Sequence, residues 1–434
     1  MEKLADLYQQ LSQLPKGTLV KKTIKGTPRF YLQWRENGRI INHYVRLVDK
    51  PNLEKQIAQR QKIIKAINAI EKTWSHPLSM LSKNAKQFSG TLLSSDDKVA
   101  IFKEGRCLWF DEKRAPLLIK RTQNIDAFLS GRVIDQQRKN SRLLKKVLSL
   151  KESNEAWLAL YSYGASLTDD YWFRPRGCKK HYQDVAFQSD IYANVALNGD
   201  VSFLPRHHSP SPQLSLGGSY EKCWKRIDKD WWIIKKGTPE EIFSEYFVYL
   251  LGKACHFDMA ECVIDVNGIR SKNFAEKVNF EPAKALMDDN DDYHDCFKTI
   301  FALSPFFAEQ YLRIIWLDSL VNNVDRHTEN FGFLRRREDG KILSLAPNFD
   351  NNAALIARGY PKELTRQNDG FLGFFAKFLC ETPEAKQLYQ SLVWPRIDEP
   401  LLHGLFQACP FSVNEKDLTA YLLNGYRLLL AMQK

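Results

Sequence analysis

The chain has only eight cysteines in 434 residues, and no two of them form a C-x-x-C pair. That scatter argues against a zinc ribbon and against a disulfide framework, and it suits a reducing cytoplasm. Long apolar runs are also missing. The richest, "YFVYLLGKACHF" at 246–257, is broken by Lys253 and is too short to span a bilayer. No membrane partner is therefore expected. The opening "MEKLADLYQQ" carries Glu2 and Asp6 and has no apolar centre, so it does not read as a signal peptide. A cytoplasmic location is the expectation. The acid-dense "MDDNDDYHD" at 287–295 lacks the Gly and closing Glu of an EF-hand loop and reads as a solvated insert. No internal repeat is present.

What the chain has is positive charge, concentrated at one end. The net charge is +12, yet residues 1–72 alone hold 15 Lys and Arg against 6 Asp and Glu. A local basic surface suits nucleic acid, an acidic membrane or an acidic protein. After a short helix over 1–13, "TLVKKTIKG", "RFYLQWREN" and "RIINHYVRL" read as three strands, with Asn37-Gly38 as a hairpin turn. Pro51 then opens a helix carrying Ile57, Ile63, Ile64, Ile67 and Ile70. Residues 1–75 thus form a basic β-hairpin/helix module. Its strands interleave Lys21, Lys22, Lys25, Arg29, Arg35, Arg39 and Arg46 with Phe30, Tyr31, Trp34 and Tyr44. The simplest reading makes the aromatics the module's own core and the charges a solvated face. Nucleic-acid binding through 1–75 is the alternative.

Length alone suggests about two or three domains. Residues 97–119 read as a hairpin and 123–163 as helical, and 174–219 as long and irregular. From 220 strands and helices alternate, and beyond 297 the chain reads as mostly helical, interrupted by "GKILSLAPNFDNNAAL". The expected division is 1–75, a region 76–205, and a core 206–434.

Five short pieces carry chemistry. Gly217 and Gly218 in "LSLGGSYEKCWKR" let backbone N–H groups approach phosphate oxygens. Lys235 ends the bulky strand "WWIIKK", where it is either a phosphate ligand or an edge-strand lysine. Glu245 sits among Phe243, Phe247, Leu250 and Leu251 of a helix, a setting that calls for a partner such as Lys235. In "NNVDRHTENFGF" Asp325 can orient a hydroxyl while Asn330 offers an amide oxygen to Mg²⁺. His327 between them reads as a structural histidine. Asp350 in "LAPNFDNN" is a second hard-oxygen ligand or an Asx turn. The order of these pieces is that of a phosphotransferase with a protein-kinase-like fold.

On these residues the sequence resembles the HipA-like kinases, bacterial serine/threonine kinases. "LSLGGSYEKCW" is similar to the family's glycine loop, "WWIIKK" to its lysine strand, and "SEYFVYLLGKA" to the helix of the Lys-paired Glu. "DRHTENF" is similar to its D-x-H-x-x-N-F catalytic loop and "LAPNFDNNAAL" to its metal-binding segment, and "SLTDDYWFRP" at 166–175 looks like a stretch upstream in some members. The resemblance runs from about 97 to 430. It implies an α+β, two-lobed protein-kinase-like fold with a largely helical C-lobe, to which the N-terminal module is extra. It implies ATP and Mg²⁺ as cofactors, Asp325 as catalytic base, and Asn330 and Asp350 as metal ligands. Lys235 would hold the nucleotide phosphates, oriented by Glu245, near Gly217 and Gly218. Ser215 stands where some members carry an autophosphorylated serine. The implied activity is serine/threonine protein kinase, of the toxin type that an antitoxin partner restrains. Two departures matter. Arg326 in "DRHTEN" also resembles phosphoinositide kinases, which keeps a lipid or small-molecule acceptor open. Asp350 is followed by Asn351 rather than Phe-Gly, so a phenylalanine switch after the aspartate is not expected. A third reading is an inactive kinase fold acting as a nucleic-acid or protein binding module.

Overall fold

The computed structural model describes residues 7, 10–11, 13–24, 26–36, 39–71, 88–103, 105–150, 154–202, 210–218, 220–266 and 268–434. The Asn37-Gly38 turn, residues 1–6 and 72–75 of the basic module, and Lys25 lie outside them. The chain divides into two compact units. The first comprises Met1–Phe110, Asn124–Leu167 and Tyr171–Lys229; the second comprises Asp111–Gln123, Thr168–Asp170 and Asp230–Lys434.

In the first unit, β1 (Thr18–Ile24), β2 (Thr27–Glu36) and β3 (Arg39–Val45) form an antiparallel meander. The register sets Tyr31 opposite both Val20 and Tyr44, and Phe30 opposite both Lys21 and Val45. Side chains alternate across a sheet, so Phe30 and Leu32 share one face and Tyr31 and Gln33 the other. Leu32 and Val45 are buried, whereas Tyr44 is 51% exposed. The aromatics are therefore divided between two faces rather than gathered in one core. Helix α1 (Lys50–Glu71) follows, with the Lys50 ammonium 4.6 Å from the Phe30 ring centre.

A second sheet of this unit places β4 (Gly90–Ser94) between β5 (Asp97–Lys103) and β7 (Tyr171–Pro175), with β6 (Arg106–Trp109) beyond β5. Asn124 and Asn154 cap the short helices Ile125–Ser130 and Glu155–Ala159 by accepting N–H bonds from Ala127 and Trp157. The stretch 174–219, irregular by sequence, contains the helical turns Tyr182–Val185 and Ala193–Asn198. β8 (Lys222–Ile227) comes last.

The second unit opens with β9 (Asp230–Lys235) and α2 (Pro239–Ala254). Thr238 and Glu241 form a capping box at the start of α2, and Pro239 occupies its first turn, where no N–H is needed. β11 (Gly268–Lys272) pairs antiparallel with both β9 and β10 (Cys262–Asp265). A separate sheet runs β12 (Asn279–Pro282), β13 (Gly332–Arg335), β14 (Ile342–Leu345). The longer helices after α2 are α3 (Tyr293–Leu303), α4 (Pro305–Val321), α5 (Gly370–Glu381), α6 (Pro383–Ser391), α7 (Glu399–Ala408) and α8 (Glu415–Gln433). α4 is the hub. Leu312, Ile315, Trp316, Leu317 and Leu320 are all at 0% exposure, so the second half of the helix is covered on every side. Its neighbours in the core include Phe243, Phe247 and Leu251 of α2 and Leu418 and Leu422 of α8. Among the described residues no helix is long and apolar enough to cross a membrane.

Candidate active site

The end of α4 delivers the loop 322–331. Asn322 takes a left-handed conformation (φ 53°) and stops the helix. The Asp325 N–H donates to Asn323 Oδ1 at 3.3 Å. Asn330 donates from Nδ2 to the Asp325 carbonyl at 2.7 Å, and its own N–H donates to the His327 carbonyl at 2.8 Å. With the amide nitrogen committed inside the loop, Asn330 Oδ1 is the end that remains for a cation. His327 is structural here: its Nδ1 accepts from the Glu329 N–H at 3.2 Å. Thr328 fastens the loop to the distant turn after Lys284–Met287 by donating to the Asp288 carbonyl at 2.6 Å.

Arg326 is the internal strut. It is buried, and its guanidinium meets Asp318 of α4 through Nε (2.8 Å) and Nη2 (3.0 Å). Nη1 donates to the carbonyls of Asn330 and Phe349, each at 2.7 Å. Nη2 also reaches Asn348 Oδ1 at 2.9 Å and Asn351 Oδ1 at 2.8 Å. Burial opposes the charge, but the Asp318 carboxylate outweighs it, and the Arg326 pKa is held above its usual value. One side chain thus ties the Asn330 loop to the Asp350 segment. Sequence reasoning missed this role. The available signal was Asp318, an acid within the apolar run "IIWLDSLV" that needs a buried cation.

Lys235, Glu245 and Asp350 come together as the third part. Lys235 Nζ lies 2.7 Å from Asp350 Oδ1. Glu245, 3% exposed, accepts from the Asn351 N–H through Oε2 at 2.5 Å. Its charge also acts on Lys235. Burial lowers the lysine, and Asp350 and then Glu245 more than reverse it, so Lys235 stays firmly protonated. Burial pushes the Glu245 carboxyl up; Lys235 opposes that and Asp350 adds to it. Asp350 itself is left-handed (φ 61°), a conformation aspartate tolerates better than most residues. Phe349 anchors the segment against Phe274 and Phe280, at 5.5 and 5.7 Å between ring centres. Among the described residues no group of three or more His, Cys, Asp or Glu gathers as a metal cluster. The donors that fit a hard cation are Asn330 Oδ1 and the Asp350 carboxylate, a set that needs phosphate and water oxygens to complete it, as Mg²⁺ sites do.

The glycine loop belongs to the first unit. Gly217 and Gly218 are exposed, and Gly218 has φ +79°, which favours glycine. Arg138, nearly fully buried, donates to the carbonyls of Leu216, Gly217, Gly218 and Lys222 at 3.0–3.3 Å. Burial pulls its guanidinium down to about 10. Glu221 receives both the N–H and the side-chain amide of Asn140. Ser215 closes a 3₁₀ turn and donates to the Pro212 carbonyl at 2.9 Å. Arg138, 79 positions upstream of Gly217, gives no local signal in the sequence.

Comparison with known proteins adds a family. Residues 214–370 match the family described as HipA-like C-terminal domain, a stretch that contains every candidate site residue. The HipA-like resemblance stands. Residues 1–55 match a family described only as a domain of unknown function, DUF6788. No curated protein matches the chain. Among solved structures, the Helicobacter pylori proinflammatory kinase CtkA is similar at 17% identity and a TM-score of 0.40, over 49% of this chain and 92% of that one. HipA of Shewanella oneidensis MR-1, from a complex of a toxin–antitoxin system with HipB and operator DNA, is similar at 14% identity and a TM-score of 0.46. That likeness covers 78% of this chain and 97% of the other.

Proposed function

We propose that the HipA-like chain is a kinase that uses ATP and Mg²⁺ to phosphorylate a serine or threonine hydroxyl on a protein. The observation that carries this reading is the joining of two segments by Arg326, which puts Asn330 and Asp350 on one buried framework with Lys235 paired to Asp350. Such chemistry is mostly positioning and charge neutralisation. Lys235 would exchange its contact with Asp350 for nucleotide phosphate oxygens. Glu245, held by the Asn351 N–H, would keep the ammonium in place. Asp325 would orient the acceptor hydroxyl and receive its proton as the oxygen attacks the γ-phosphorus. The bond to the bridging oxygen breaks, and ADP departs. Mg²⁺, when bound at Asn330 and Asp350, supplies neutralisation of the charge on the phosphate oxygens.

The domain division that goes with this reading is a basic module over 1–75, a kinase-associated region over 76–205 and a two-lobed kinase core over 206–434. A toxin role with an antitoxin partner follows only from the HipA-like resemblance. The lipid-acceptor alternative rests on Arg326 and on the basic N-terminus; of these, the Arg326 side chain is spent on internal bonds to Asp318, Asn348 and Asn351.

The test is incubation of the purified chain with γ-labelled ATP and Mg²⁺, beside Asp325→Asn, followed by mass spectrometry. Label on a serine, Ser215 included, that disappears in the variant is the expected result. Labelling that persists in Asp325→Asn and in Asp350→Asn would remove the site assignment.

A further inference from the structure

The three-stranded sheet at the start of the chain presents a face that carries none of the candidate site residues. Alternation along β1, β2 and β3 puts Lys22, Arg29, Tyr31, Gln33, Asn42 and Tyr44 on one side. The opposite side is the covered one: it carries Phe30 with the buried Leu32 and Val45. On the open side Arg29 and Asn42 are exposed, and Tyr44 is about half exposed.

The open face is organised. Tyr31 and Tyr44 sit directly across from one another, edge to face, with ring centres 5.7 Å apart. The Lys22 ammonium lies 5.3 Å from the Tyr31 ring centre and donates to Asn42 Oδ1 at 2.8 Å. Gln33 donates to the same oxygen at 2.9 Å. A lysine and two amides therefore brace the tyrosine pair. The alternate positions that form this face, from Thr18 to Ile24, Thr27 to Arg35 and Ile40 to Tyr44, include no Asp or Glu. In sequence, residues 1–72 carry 15 Lys and Arg against 6 Asp and Glu.

We infer that this face binds single-stranded nucleic acid, through base stacking on Tyr31 and Tyr44 and phosphate contact at Lys22 and Arg29. A positive field alone would attract any polyanion. The aromatic pair selects among them. Duplex bases are stacked on one another, while single-strand bases are free to lie on an exposed ring. An anionic membrane would gain little from the hydrogen-bonded amides of Gln33 and Asn42. The inference does not depend on the kinase reading, because no nucleotide hydrolysis or transfer enters it.

The experiment is fluorescence anisotropy of the full chain with a labelled mixed-sequence RNA or DNA single strand of about 16 nucleotides. The same sequence as a duplex and phosphatidylserine-containing vesicles run beside it. Tyr44→Ala is the principal variant, because its ring is half exposed on the open face. Arg29→Ala tests the phosphate contact, and Lys62→Ala on α1 is the control for diffuse charge. The expected result is single-strand binding that Tyr44→Ala weakens about tenfold. Arg29→Ala should reduce the logarithmic salt slope by about 0.7, and Lys62→Ala should leave affinity nearly unchanged. Three outcomes overturn the inference: no binding of the single strand, equal or tighter binding of the duplex or vesicles, or a Lys62→Ala loss as large as that of Tyr44→Ala.

Discussion

Arg326→Met should be the most damaging single change near the site, and its cost can be bounded from the contacts. The substitution leaves Asp318, at 0% exposure, without the guanidinium that meets it through two nitrogens. Removing one partner of a buried ion pair costs about 3–5 kcal/mol. The carbonyls of Asn330 and Phe349 and the Oδ1 atoms of Asn348 and Asn351 also lose a donor. Each such loss is worth about 1–3 kcal/mol when nothing replaces it, and losses around one group do not add. A total of about 4–6 kcal/mol is therefore expected, against a domain stability of about 5–15 kcal/mol. Urea unfolding measures the total. Hydrogen exchange over 318–330 and 346–352 places it, since only those segments share the strut. Replacing both partners, Asp318→Leu with Arg326→Met, should recover part of the loss, because no buried charge is left uncompensated. The reasoning fails if Arg326→Met alone lies within about 1 kcal/mol of the parent, or if the double variant is as unstable as the sum of the singles.

Other expectations concern the groups around the strut. Lys235→Met should lower phosphotransfer by about 10²–10³-fold, read by labelled-ATP turnover, as loss of an electrostatic donor does elsewhere. Glu245 has its carboxyl raised above the usual 4.5 in the folded chain. A raised value gives stability that is whole below the unfolded value and is lost as pH rises through the folded one. The parent should therefore lose stability relative to Glu245→Gln as pH climbs from 4.5, and urea titrations across that range check it. Arg138→Met frees four carbonyls of the glycine-loop region, so amides of 214–218 and 220–222 should exchange hydrogen faster than in the parent; unchanged protection there would contradict a bracing role.

The candidate residues could be picked out in the sequence because they sit in short, ordered pieces. "DRHTEN" declares a loop with an acid and an amide five residues apart, and the structure closes that loop on itself through Asn330 and the Asp325 carbonyl. α2 was readable from Pro239 and its apolar spacing, and the capping box at Thr238 explains why it begins there. The illegible parts share a cause. Arg326, Arg138 and Asp318 act through partners distant in sequence or hidden in a helix, and local pattern carries no information about such partners. Strand β13 was missed because four residues, "GFLR", follow the loop without enough length for alternation to show. The division of Phe30 from Tyr31 is the opposite case: strand alternation alone implies two faces, yet the simplest sequence reading gave all four aromatics to one core.

Phe349 has a consequence for inhibitor chemistry. The aromatic residue precedes Asp350 and packs against both Phe274 and Phe280, while Asn351 on the other side is held by Arg326 and Glu245. A compound that gains selectivity by wedging this aspartate outward would have to extract one ring from two neighbours and also release a buried guanidinium. Chemists seeking ligands for this chain should expect tight, rigid compounds shaped to the resting arrangement to succeed where flexible, pocket-opening ones fail.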